Sequence, residues 1–374
     1  MWNVIKKMFI GENQVRPPTT FTIKWEEVSD PANFFVEYWD DAIGLAQWDW
    51  GFDDFFWYEA VVLNNDWNIV WQPMKQSKWV FTSTMSSFIS WKTWNVMIRF
   101  PIRWIKMSKS WSTVTLSMTK EKNKDWYQYY AFNSQWVAQN YLYLWAYKWS
   151  ISNSKLVSIS WASSIYWFGI STAVAGANEY SNHRYHEMTW YARQYINALY
   201  MMKYWNPYSR SVIWNWARGN TGGTNSLKNA SWAVSNRVRL FGLEDLWWNG
   251  WDILEWSRYA NSTLYFNSNG NFSTSSHITS FDKSSGGVWA YGVITKISWS
   301  NDALFAPAGF DKYGNANTYY CDKYNYDNNN QNYSVVAGNY NNDTSNVANW
   351  LFFLNVLLPE SNSSSYAWCR LMYL

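Results

Sequence analysis

Leu240-Phe241-Gly242-Leu243-Glu244-Asp245-Leu246-Trp247-Trp248-Asn249-Gly250-Trp251-Asp252-Ile253-Leu254-Glu255 is the stretch on which the reading of this chain turns. It opens on an apolar pair and a glycine, and a short helix or turn is expected near Glu244. Glu244, Asp245 and Glu255 make a carboxylate set of the kind that general acid–base chemistry uses. Buried polar groups must be paired, however, so these carboxylates are expected to bond backbone groups and fix the surrounding loops. Trp247 and Trp251 fall on apolar positions of the block.

Working outward, tryptophan recurs where a chain needs glycine. Asn64-Asn65-Asp66-Trp67-Asn68 separates the strand-like runs Glu59–Leu63 and Asn68–Trp71, and Lys109-Ser110-Trp111-Ser112 separates 102–107 from 113–118. Tight hairpin connections favour residues that accept positive φ, and Asp-Gly is a strong signal where Asp-Trp is not. Trp94, Trp205, Trp214 and Trp216 repeat the oddity. The chain holds 32 tryptophans and 17 glycines in 374 residues; its glycine share, about 4.5%, is below the usual ~7%. Many of these tryptophans therefore read as glycines from a gene whose UGA codons mean glycine. The set Trp67, Trp94, Trp111, Trp145, Trp149, Trp205, Trp214, Trp216, Trp248 and Trp368 is expected to be UGA-encoded, and Trp190 and Trp247 UGG-encoded. The alternative is an aromatic-rich sugar binder, whose tryptophans belong on strand faces or binding loops.

Composition bounds the rest. The length suffices for one large or two modest domains. A net charge of +3, from 30 Lys and Arg against 27 Asp and Glu, leaves no footprint for nucleic acid or an anionic membrane. The longest apolar run, Trp350–Leu358, is far short of the ~20 residues a spanning helix needs, so no membrane insertion is expected. The start lacks the apolar core of a secretory signal. Cys321 and Cys369 form neither a disulfide framework nor a metal site by spacing, and a reducing cytoplasm is the expected place of synthesis. His183-x-x-His186 has no acidic or cysteine partner at ligand spacing and reads as a turn before a helix. Asn220-Thr221-Gly222-Gly223-Thr224 lacks the ending of a phosphate cradle and reads as a surface loop.

Short strands are expected at 21–25, 59–63, 96–105, 112–119 and 141–148. An amphipathic helix is expected over Glu187–Tyr204, stopped by Asn206-Pro207. Beyond Asn261, Asn/Ser/Tyr-rich loops are expected on a β scaffold.

Three stretches resemble the formylglycine-generating-enzyme-like branch of the C-type lectin fold, in the form carried by phage virion proteins and by the variable proteins of diversity-generating retroelements. Tyr143–Ser150 resembles the family's Tyr-Ile-Gly-x-Tyr-x-x-Ser strand, with Trp145 on the glycine. The opening block is similar to the signature Gly-Leu/Ile-Glu-Asp-x-Trp-Gly-Asn-x-Trp-Glu, with Trp248 on the glycine; Gly242, Glu244, Asp245, Trp247, Asn249 and Trp251 are its structural residues. Tyr366–Leu374 resembles the closing Ile-Gly-x-Arg-Leu strand, with Trp368 on the glycine and Arg370 on the arginine. The resemblance spans residues 95–374 and implies an α+β fold: a C-type-lectin-like domain preceded by a β-rich attachment region, residues 1–94. The alternation of apolar residues in Arg370–Leu374 and the short turns further predict a final strand that is internal or paired with an early strand.

The oxidising members of that family use a closely spaced cysteine pair, which Cys321 and Cys369 do not form, so no catalytic residues, cofactor or metal are expected. From Tyr319 to Ser365 the chain is rich in Tyr and Asn, the palette of adaptable binding loops. Tyr324, Tyr326, Asn328, Asn330, Tyr340, Asn342 and Asn346 are expected on one exposed face, with Val335, Val336, Phe353 and Leu354 beneath. The expected function is a phage tail or fibre protein that presents a lectin-like surface to a host protein or glycan. It would reside in the virion with other subunits, as a homo-oligomer. An enzyme of the formylglycine-generating type and a purely structural virion or surface protein are the alternatives.

Overall fold

The computed structural model describes residues 19–28, 36–40, 55–63, 69–71, 95–122, 124–134, 136–148, 150–152, 155–158, 185–204, 206, 239–246, 251–260, 263–267, 277–280, 289–298, 303–311, 313, 320, 323–327, 333–337, 351–352, 354–359, 367–368 and 370–374. In chain order its strands begin with β1 (Thr20–Glu26), β2 (Val36–Asp40), β3 (Glu59–Leu63), β4 (Ile69–Trp71), β5 (Asn95–Pro101), β6 (Trp104–Ser110) and β7 (Thr113–Thr119). There follow β8 (Asn133–Ser134), β9 (Val137–Ala138), β10 (Tyr141–Trp145), β11 (Ser150–Ser152), β12 (Lys155–Val157) and β13 (Tyr185–Glu187). After helix α1 (Trp190–Tyr204) come β14 (Arg239–Leu240), β15 (Leu243–Glu244), β16 (Trp251–Ala260), β17 (Thr263–Phe266), β18 (His277–Ser280) and β19 (Trp289–Ile297). The last are β20 (Pro307–Asp311), β21 (Lys323–Asp327), β22 (Tyr333–Ala337), β23 (Leu354–Pro359), β24 (Ala367–Trp368) and β25 (Leu371–Tyr373).

The α+β expectation is corrected: among the described residues strands dominate and α1 is the single α-helix, so the protein is mainly β. The cause lies in the C-terminal third. Its strands are short and polar, such as Lys-Tyr-Asn-Tyr-Asp in β21, and by composition alone they read as loops.

Three sheets carry the fold. The first runs β2-β1-β7-β6, the second β13-β25-β10-β5-β3-β4, and the third β18-β17-β16-β22-β23-β21-β19-β20 with β24 beside β16. In the first, Phe21, Ile23 and Trp25 lie opposite Met118, Leu116 and Val114, and all six are buried on one face. The intervening positions pair hydroxyls, Thr22 with Ser117 at 2.9 Å and Thr20 with Thr119 at 3.2 Å. Strands from the first 94 residues are integral to two sheets, β1 pairing with β7 and β3 with β5. As expected of the terminus, β25 is internal, between β13 and β10.

The single strand expected over 96–105 is two strands in different sheets. Pro101 offers no donor to continue a ladder, and the chain bends at Ile102 and Arg103, where Arg103 donates to the carbonyl of Phe55 at 2.9 Å. Helix α1 starts three residues later than expected. Glu187 belongs to β13 opposite Leu371, and Thr189 caps the helix by accepting from the amide of Ala192 at 3.2 Å. The helix is buried all round rather than on one face. Tyr195 meets Phe100 of the second sheet, while Trp190 stacks on Phe266 of the third at 4.8 Å.

Seven non-glycine residues have positive φ among the described residues: Trp111, Trp126, Trp136, Phe241, Asp245, Trp256 and Leu304. Gly242 is the one glycine that does.

Candidate functional site

The three stretches that carry the family resemblance meet at one buried centre. Arg370, entering β25, donates one guanidinium nitrogen to the carbonyl of Trp145 at the end of β10 and another to that of Glu244 in β15. The amide of Glu244 donates to the carbonyl of Ala146 at 2.8 Å, and the amide of Met188 to that of Arg370 at 2.7 Å. Lys148, just past β10, forms an ion pair with Asp252 of β16. Lys148, Glu244, Asp252 and Arg370 are each fully buried, and Asp245 is 1% exposed.

The electrostatics follow from burial. Removal from water pushes the Lys148 ammonium down to about 8, the attraction of Asp252 opposing and the charge of Arg370 assisting. Burial likewise lowers the Arg370 guanidinium, against the pull of Asp252, Asp245 and Glu244. Two cations and three carboxylates thus lie together out of water. Such a centre fixes the relative positions of β10, β15, β16 and β25, and its described members present nothing to solvent.

Among the structural-motif residues, Gly242, Glu244, Asp245 and Arg370 are brought to this centre or its entry hairpin, β14–β15. Gly242 has φ +80°, and a Cβ there would lie 2.7 Å from Ile98 Cδ1. Trp247 and Asn249 lie outside the described residues, as does Trp248, and Trp251 opens β16 in parallel register with Ala367. Glu255 does not join the other carboxylates. It faces His186 at 3.5 Å on the partly exposed side of β16. His183 lies outside the described residues. The Lys148–Asp252 pair was not singled out in the sequence: each residue interrupts an apolar stretch, but nothing in the sequence ties two positions 104 apart.

Of the expected ligand-binding residues, Tyr324 and Tyr326 lie on β21, which is interior to the third sheet between β19 and β23. Tyr324 stands in register with Leu354 and Tyr326 with Val356, while Asn325 aligns with Asn355. Leu354 and Val356 are buried, as is Val335 on β22. Asn328, Asn330, Tyr340, Asn342 and Asn346 lie outside the described residues, and so does Phe353; of Val336 the backbone alone is described, in β22.

No helix among the described residues is long and apolar enough to cross a membrane. No group of three or more His, Cys, Asp or Glu among them is arranged to hold a metal ion. No protein-family model matches the chain, and no curated protein matches it in sequence.

Proposed function

We propose that this chain is a phage tail or fibre protein whose mainly β scaffold presents a lectin-like receptor-binding surface for attachment to a host protein or glycan. The observation that carries the reading is the convergence of the three resembling stretches. Tyr143–Ser150, Leu240–Glu255 and Tyr366–Leu374 are far apart in sequence, and chance matches in an Asn- and aromatic-rich chain have no reason to meet. Here they are tied by Arg370, by the Lys148–Asp252 pair and by the β10–β25 and β16–β24 pairings. The Tyr/Asn tract adds a second support. Strands β21, β22 and β23 alternate with segments dense in Asn and Tyr, and recognition residues commonly sit on connections held by a rigid sheet. In this reading the protein resides in the virion among other subunits, as a homo-oligomer.

The test is attachment. Tyr326→Ala with Tyr340→Ala should weaken adsorption of the particle, or of the purified protein, to host cells at least several-fold, with little change in melting temperature. A double variant that adsorbs like the parent moves the reading to a purely structural virion protein. Lost adsorption accompanied by lost folding is resolved by Asn342→Ala with Asn346→Ala, which should weaken adsorption without destabilising.

A further inference from the structure

Tryptophan supplies 32 of 374 residues, yet it supplies four of the seven positive-φ non-glycine positions among the described residues. Each of the four occupies a backbone motif that calls for glycine. Trp111 (φ +56°) is the first loop residue of the two-residue hairpin closing β6 and β7, between the paired Ser110 and Thr113. Positive φ at that position and not at Ser112 is the pattern of a type II′ turn, which takes Gly there. Trp126 (φ +67°) is the third residue of the turn closed by the bond from the Tyr127 amide to the Lys124 carbonyl, 3.2 Å. With Asp125 not at positive φ, this is the glycine position of a type II turn. Trp136 (φ +69°) is the second loop residue between the paired Ser134 and Val137 of β8 and β9, where hairpins of the Asn-Gly kind place Gly. Trp256 (φ +60°) lies in β16 within the irregularity between Ile253 and Arg258, where β16 advances five residues against two on β22, and a left-handed residue inside a strand is a position glycine accepts without strain.

Left-handed backbone is a true outlier for a bulky side chain. Packing does not compensate it at Trp111, which is 95% exposed, and Trp126 and Trp136 are also mostly exposed. Trp256 differs in being 8% exposed, with its ring 5.5 Å from that of His186, so at that position the argument rests on the backbone alone. Trp190 and Trp25 combine tryptophan packing with ordinary backbone. Trp190 stacks on Phe266 inside α1's contacts, Trp25 donates to the Tyr320 hydroxyl at 3.2 Å, and neither has positive φ. Trp145, at a motif glycine position, is buried without positive φ, so the backbone argument does not extend to it.

We infer that positions 111, 126, 136 and 256 are glycine in the polypeptide as its cell makes it, each written tryptophan being a UGA codon decoded by a glycyl-tRNA. The partner this implies is a cell, or a particle genome, that supplies a glycyl-tRNA reading UGA. The exposed indoles at 111, 126 and 136 are then no ligand platform, because the mature surface does not carry them. The inference is independent of the receptor-binding reading.

Peptide sequencing of the protein from its own host tests it directly. Glycine is expected at 111, 126, 136 and 256 and tryptophan at 25 and 190, with UGA and UGG codons respectively. Tryptophan in those four peptides, or UGG at those four codons, overturns it. Recombinant chains give a second readout. Trp111→Gly, Trp126→Gly and Trp136→Gly together should raise the melting temperature by on the order of 2 °C per position, whereas Trp190→Gly should lower it. An unchanged or lower melting temperature in the threefold variant overturns the backbone argument.

Discussion

Replacing Lys148 with methionine leaves the Asp252 carboxylate fully buried without its ion-pair partner, with the attraction of Arg370 left to offset it. The second oxygen of Asp252, Oδ2, has no hydrogen-bond partner among the described residues, so Lys148 is the donor on which this carboxylate depends. Breaking a buried pair from one side costs about 3–5 kcal/mol. The intact pair is itself expensive. Lys148 falls from 10.5 to about 8, equivalent to about 3 kcal/mol against its charged form at neutral pH. Lys148→Met with Asp252→Leu removes both charges and should therefore recover most of the loss, ending within about 1 kcal/mol of the parent or above it. Urea unfolding of the parent, both single variants and the double variant closes the cycle, with the denaturant slope checked for constancy. Single variants that each lose under about 1 kcal/mol, or a double variant whose loss is the sum of the two, would refute the claim that these charges are a coupled buried pair.

Alkaline pH should destabilise the protein from about pH 10 upward. Burial pushes Tyr38 up to about 12 and raises Tyr143, Tyr195 and Tyr320. These phenols ionise in the unfolded chain first, so their contribution is complete below pH 10 and lost as pH climbs through the folded values. Lys148 acts in the opposite sense, its penalty being relieved between about pH 8 and 10.5. Tyrosinate absorbance that reaches the value for all 28 tyrosines near pH 10 while the protein stays folded would contradict this account. Gly242→Ala should cost about 1–3 kcal/mol in urea unfolding, since φ is +80° and the added Cβ meets Ile98; a neutral result means the hairpin β14–β15 can re-form. Arg193→Met should cost about 2–4 kcal/mol, because buried Arg193 donates to the carbonyls of Leu246 at 3.0 Å and Leu351 at 2.8 Å. Its loss should also speed hydrogen exchange in α1, and unchanged exchange there would argue against a clamp.

Local pattern made much of the strand content legible. Glu59–Leu63 has the bounds that its apolar run implies, and 21–25 and 112–119 are each within a residue of theirs. The helix was legible in its C-terminal half, where Asn206-Pro207 ends it. Its start was not, because Glu187 extends a sheet through a partner at Leu371 that no window of sequence contains. The split at Pro101 was signalled by a residue with no donor, but the apolar residues on both sides of it read as one run, and only their different partners, β7 for β6 and β10 for β5, place the two halves in separate sheets. Fold class was misjudged because a polar strand such as β21 is stabilised by neighbours on both sides rather than by its own hydropathy. At the charge centre, Glu244, Asp245 and Arg370 were visible through their motifs. Lys148 and Asp252 were not, because pairing across 104 residues is a property of the fold alone.

The interior place of β25 also sets when the second sheet can be completed. Leu144 pairs with Met372, a separation of 372 − 144 = 228 residues, and β13 reaches the same sheet only through β25. Contacts that distant must close a long loop before they return any stabilisation, which slows folding. During synthesis β10 is held by β5 on one side while its other edge stays open until the ribosome has delivered β25. An open edge of Tyr-Leu-Tyr-Leu-Trp is a template for pairing with a neighbouring nascent chain. Yield of soluble protein should therefore depend on translation speed and on chaperones that shield strand edges, more than on the final stability of the fold.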